Sequence, residues 1–223
     1  MSGLATPTEY EWEPIRGLPA RPPANETVLW QGSPHWQSLA VRAFHVRKVA
    51  IYFGVLLAWR AAAAHADGEA LGSAATALLL LAGLATAAVV VLALLAWLYA
   101  RTTVFTVTSR RVVMRFGVAL PMALNIPFRI VEAAGVKLHA DGTGDIPLRL
   151  TGPDRASYLH LWPFARAWRV ARPEPCLRCV PDGARAAEIL GRALQAATGG
   201  PARAPVHPEA LDKPARPLAP VAA

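Results

Sequence analysis

The chain has 223 residues, of which 54% are hydrophobic and 17% charged, with 23 Lys and Arg against 15 Asp and Glu and a mean hydropathy of +0.30. Two cysteines exclude a disulfide-stapled exported domain. The acidic, Pro-containing stretch Met1 to Trp36 lacks the apolar core of a signal peptide, so none is expected.

Residues 1–25 carry Pro7, Pro14, Pro19, Pro22 and Pro23, which block helix and sheet alike, and are expected to form a loose arm. Within residues 26–48, Thr27 to Gln31 reads as a short strand closed by Gly32-Ser33-Pro34, with Val28 and Trp30 on one face. Such a strand is too short to fold alone and should join a sheet formed elsewhere. Residues 37–48 then read as an amphipathic lead-in helix with Leu39, Phe44 and Val46 beside Arg42, Arg47 and Lys48.

Residues 49–100 predict a transmembrane helical hairpin. Val49 to Ala66 is apolar apart from Arg60 and His65, and Arg60 lies close enough to Asp67-Gly68-Glu69 to snorkel outward. Ala70 to Ala100 contains no Asp, Glu, Lys, Arg or His, and about 20 apolar residues suffice to cross a bilayer core. The spanning part is expected from Ala74 to Tyr99, with Trp97 and Tyr99 as an interfacial belt. The competing reading, a buried helix of a soluble domain, is opposed by length, since such helices average about 11 residues. Arg42, Arg47 and Lys48 precede the hairpin, Arg101, Arg110 and Arg111 follow it, and its turn is acidic, so both ends of the chain are expected on the cytoplasmic side of the membrane. Gly83 and Ala87, four apart, would allow another helix to approach closely.

Residues 101–180 hold 12 basic and 5 acidic side chains, most of the positive excess. Beside a bilayer this favours anionic lipid or an acidic protein over nucleic acid. Strands are expected at Thr102–Thr108, Arg111–Phe116, Ala119–Ile126, Ile130–His139, Ile146–Leu150 and Ser157–Trp162, with turns at Ser109-Arg110, Asp141–Asp145 and Gly152–Asp154. An amphipathic helix over Ala184–Ala197, started by Pro181 and Asp182, should close this domain at residue 198. The fold class expected is thus a two-helix membrane hairpin plus a cytoplasmic α+β domain, an antiparallel sandwich or barrel closed by a C-terminal helix. Residues 199–223, rich in Pro and Ala, read as a disordered tail.

Val28-Leu-Trp-Gln-Gly-x-Pro34, the hairpin and Val107-Thr-Ser-Arg-Arg-Val-Val-Met-Arg-x-Gly117 resemble the bacterial pleckstrin-homology-like membrane proteins. Gly17–Ala20, Ala43–Ala50, Leu56–Arg60, Leu138–Leu148 and Tyr158–Pro163 extend the likeness toward the photosynthetic-complex assembly proteins of purple bacteria, over about residues 10–198. The resemblance implies a protein, possible as a homodimer, that helps assemble the reaction centre with its core light-harvesting antenna. It implies no catalysis and no cofactor other than bacteriochlorophyll held by the partner complex.

Several side chains are candidates for chemistry or contact. His45 and His65 sit at the ends of the first membrane helix, and Ala61-x-x-x-His65 is similar to antenna pigment sites; interfacial histidines bonded to water or headgroups are the plainer reading. His139 and His160 are expected in strands. Cys176-x-x-Cys179 is extended, which would send its sulfurs to opposite faces and suits neither a redox motif nor zinc. Asp141–Asp145 lacks the ligands of a calcium loop and reads as a glycine turn. Trp162, Phe164, Arg166, Trp168 and Arg169 mix the residues enriched at interfaces and at headgroups, either as a partner-binding surface or as aromatics beneath the sheet with solvated arginines. Two rival functions remain: a module reading anionic lipid through Arg110, Arg111 and Arg115, and a pigment or quinone carrier.

Overall fold

The computed structural model describes residues 17–18, 22–118, 120–151, 158–166 and 173–198. In chain order these form β1 (Val28–Gly32), α1 (Trp36–Arg42), α2 (Val46–Ala66), α3 (Leu71–Thr102), β2 (Val104–Thr108), β3 (Arg111–Phe116), β4 (Met122–Pro127), a 3-10 turn (Phe128–Ile130), β5 (Val131–Ala134), β6 (Lys137–Leu138), β7 (Gly144–Leu150), α4 (Tyr158–Leu161), β8 (Cys176–Val180) and α5 (Gly183–Thr198). Trp36–Arg101 makes one compact unit; the residues before and after it make the other.

The first unit is helical. Instead of one lead-in helix over residues 37–48, the chain breaks between α1 and α2. The amides of Ala43 and Phe44 both donate to the Leu39 carbonyl, and His45 takes a left-handed conformation at φ 55°. The break turns Phe44 inward, 5.9 Å from the Tyr99 ring. Arg60 reaches forward from α2 to Glu69, with 2.6 Å between Nη2 and Oε2, so the cation near the helix end is neutralised locally. The α3 helix has 32 residues and is therefore about 48 Å long, more than a bilayer core requires. Both long helices are apolar enough to cross a membrane. Their large side chains point outward, with Trp59 74%, Leu79 73% and Leu80 72% exposed, the opposite of a buried soluble helix. At the far end of α3, the Arg101 guanidinium lies 5.1 Å from the Trp97 ring centroid.

The second unit holds two antiparallel sheets. One has the order β1-β2-β3-β4; in the other, β7 pairs with β5, β6 and β8. The expected hairpin at Ser109-Arg110 is present, and Val107 stands opposite Val112 across it. As expected, β1 adds to a sheet made elsewhere. A bulge between Val28 and Trp30 interrupts its alternation, so those two side chains do not define one clean face. The central strand β2 is buried on both faces. Its threonines therefore need partners: Gln31 donates to Thr106 Oγ1, and Thr108 Oγ1 donates to the Arg111 carbonyl while accepting from two amides of the turn.

The ladder does not close into a barrel among the described residues. After β4 the chain turns through Phe128–Ile130 before β5 begins the other sheet. Ile130–His139 is not one strand, because β5 and β6 meet successive parts of β7 on either side of Gly135, whose amide donates to the Pro147 carbonyl. The stretch expected as a strand over Ser157–Trp162 is helical at Tyr158–Leu161, which places His160 on a helix, while His139 lies just past β6. Burial explains the turn: Leu161 and Phe164, three apart, point into the core, while Leu159 and Trp162 point out. Phe105, Phe128, Phe164, Met114, Ile146, Leu148, Leu177 and Leu190 form that core.

Helix α5 buries Ala186, Ala187, Leu190 and Ala193 and touches β1, β7, β8 and the 3-10 turn. Its first residue, Gly183, meets Gly144 of β7 backbone to backbone, so neither position has room for a Cβ. The arm expected to be loose contributes Leu18, 1% exposed, to the core. The expected tail, 199–223, lies outside the described residues.

Candidate interaction surface

The aromatic and basic cluster anticipated around Trp162–Arg169 divides in the structure. Phe164 is not a contact residue: it is 0% exposed and sits edge-on to Phe105 and Phe116 at 5.4 and 5.5 Å between centroids. Arg166 is committed to Glu174, its Nη1 donating at 2.8 Å to Oε2, and the Arg166 amide donates to the Glu174 carbonyl. The Ala165–Pro175 bridge lies between them. Among the described members, Trp162, 40% exposed, faces out. Trp168 and Arg169 lie outside the described residues.

The basic set proposed for lipid headgroups divides too. Arg111 makes a two-pronged pair with Glu26, Nε to Oε1 at 2.7 Å and Nη2 to Oε2 at 3.0 Å. Burial alone would raise the Glu26 pKa, but the hydrogen bonds from Arg111 and the Arg111 and Arg110 charges outweigh it and hold the carboxyl below its ordinary value. Arg115 is 8% exposed, a buried cation rather than a headgroup hook. Arg110, in the turn, is the exposed one of the three.

His45 and His65 are both exposed and stand at opposite ends of α2, about 30 Å apart by helical rise, so they cannot share one ligand. Gly83 and Ala87 face outward on α3, and nothing stands within 4 Å of the Gly83 Cβ position. Cys176 and Cys179 are both buried. Burial, then the Asp145 charge, pushes the Cys176 thiol well above its ordinary value, which removes it from thiolate chemistry. The glycine turn is internally tied: the Thr143 amide and hydroxyl donate to Asp141 Oδ1, and Asp145 Oδ1 accepts the Cys179 amide. No His, Cys, Asp and Glu group suited to a metal occurs among the described residues.

A different surface gathers at one end of the first sheet. Val104 of β2 stands opposite Arg115 of β3, and Phe116 opposite Met122, so the β3–β4 turn lies at the end where β2 begins. Gly32, the last residue of β1, pairs with Phe105 at the same end. The chain therefore leaves for Trp36 and returns from Thr102 at that end. The turn there carries Val118, Leu120 and Met122, 38%, 81% and 36% exposed. The turn is shaped by Gly117, at φ 126°, where a Cβ would collide with the Leu120 carbonyl. The signal in the sequence was a turn made of Val, Leu and Pro with no charge between Arg115 and Arg129. Reading Ala119–Ile126 as a strand concealed it.

The Bacterial PH domain family matches residues 49–194. A Rhodobacter capsulatus protein named "Uncharacterized 23.7 kDa protein in puhA 5'region" is 38% identical over 197 residues, 86% of this chain and 91% of the relative. No solved structure matches.

Proposed function

Because the chain belongs to the bacterial PH domain family, we propose that it is a membrane-embedded, non-catalytic assembly factor for a photosynthetic reaction centre and its core light-harvesting antenna, a counterpart of the purple-bacterial assembly protein PuhB. The observation that carries this reading is the 38% identity to a protein named for its place in the puhA 5' region. The chain would lie in the inner membrane with both termini cytoplasmic. There α2 and α3 pack against helices of assembly intermediates, and the PH-like domain, a sandwich with α5 as its closing helix, holds their cytoplasmic parts. The outward Gly83 and Ala87 support a close helix contact, since small residues let backbones approach where lipid supplies no hydrophobic drive. A headgroup-reading role through Arg110, Arg111 and Arg115 is less favoured, because Arg111 is occupied by Glu26 and Arg115 is buried.

The test is a mild-detergent purification from photosynthetically growing cells, with mass spectrometry and an absorption spectrum of the eluate, for the native chain and for a Gly83→Leu, Ala87→Leu double variant. Reaction-centre and antenna polypeptides with bacteriochlorophyll are expected with the native chain and a several-fold loss with the variant, at equal membrane content. Lipid alone in the native eluate would overturn the assembly reading; an unchanged variant would overturn the helix face.

A further inference from the structure

We propose that the β3–β4 turn is an interfacial foot that inserts Leu120, flanked by Val118 and Met122, into the bilayer surface. The occupant is lipid, and three observations select it. First, the turn sits at the sheet end through which the chain passes to and from the membrane helices, with Gly32 and Val104 both at that end. Val104 follows the last residue of α3 by two residues, which bounds their separation at about 7 Å. Neighbouring strands lie about 4.8 Å apart, so β4 stands only about 10 Å to the side of β2.

Second, the residues offered there are the kinds a bilayer surface accepts. Leu120 is 81% exposed, and Val118 and Met122 beside it are 38% and 36% exposed. Third, charge is arranged around the foot. No charged residue occurs between Arg115 and Arg129, whereas the turn at the opposite sheet end carries Arg110 and that at Asp141–Asp145 carries two carboxylates. An apolar turn in water would be a liability on a monomer. At a headgroup boundary it holds the domain at a fixed height.

The inference rests on α3 crossing the bilayer but not on the identity of any protein partner. The experiment places the photoreactive residue benzoylphenylalanine at Leu120 in the full chain, reconstituted alone into vesicles of phosphatidylethanolamine and phosphatidylglycerol, with the same probe at Arg110 as the opposite-end control. Both positions are exposed, so the probe displaces no core side chain. Mass spectrometry after illumination should find several-fold more lipid adduct at 120 than at 110. Equal lipid yields, or adducts at 120 only to a second copy of the chain, would overturn the foot while the membrane span stands. Release of the chain from the vesicles by alkaline carbonate would overturn the span and the foot together. Neither result bears on whether antenna subunits co-purify, so the two proposals fail separately.

Discussion

Glu26 shows how a single side chain joins distant parts of this chain. Its carboxylate is 3% exposed and meets Arg111, 85 residues away, at 2.7 and 3.0 Å, so the segment just ahead of β1 is tied to β3, which follows the long helices in the chain. The folded carboxyl titrates below its ordinary value of 4.5. A depressed carboxylate contributes stability above the unfolded pKa, and that contribution disappears as pH falls through the folded one. Glu26→Gln should therefore cost about 1–3 kcal/mol at neutral pH, less than a fully buried pair because Arg111 keeps some solvent. Thermal unfolding of both proteins in detergent should show this gap closing below pH 4.5, the ordinary carboxyl value; a gap independent of pH would mean that shape rather than charge matters at this position. Nothing in the sequence marks Glu26 as Arg111's partner, since pairing across 85 residues depends on the register of β1 against β2. Of the two readings open for the aromatic and basic cluster, Phe164 takes the one beneath the sheet, and Arg166 is paired rather than solvated. Their types suit an interface, but Glu174 and the rings of Phe105 and Phe116 had already claimed them.

At the scale of elements, what was legible is what local chemistry decides. The β2–β3 hairpin follows from period-two Thr, Val and Phe around Ser109-Arg110, and α5 from apolar residues at helical spacing after Pro181. The failures are local patterns decided by the core. Tyr158–Trp162 alternates like a strand, yet burying both Leu161 and Phe164 requires a helical turn. The apolar β3–β4 turn was absorbed into a strand because Leu120 and Met122 run on into the apolar residues of β4 with no polar turn residue between them. Gly183 makes this conflict measurable. It opens α5 without a positive φ, so propensity says that Gly183→Ala should stabilise the helix by about 1 kcal/mol. The added Cβ would stand 2.4 Å from the Gly144 Cα and 2.5 Å from its amide nitrogen, backbone atoms that cannot rotate away. Overpacking should win, and Gly183→Ala should lower stability by about 1–3 kcal/mol. Thermal unfolding decides it: a raised melting temperature would show that α5 does not seat on β7 at this glycine pair.

For the whole molecule, orientation in the membrane follows from where charge is placed, and it determines what any partner can touch. Only Asp67 to Ala70 separate α2 from α3, an acidic turn whose Glu69 is occupied by Arg60. Arg42, Arg47 and Lys48 lie before the pair and Arg101, Arg110 and Arg111 after it. Positive residues close to spans stay cytoplasmic, so the turn should face the periplasm and the two-sheet unit the cytoplasm. In intact spheroplasts a membrane-impermeant maleimide should label Gly68→Cys, whereas Arg110→Cys should react only after permeabilisation. The native thiols give little background, because both are buried and the Cys176 pKa is raised. The reverse pattern would put the basic domain outside and leave assembly contacts only within the bilayer. With the expected pattern, almost no protein is available on the periplasmic side. Recognition then has to come from the lipid-facing helix surfaces and the cytoplasmic domain.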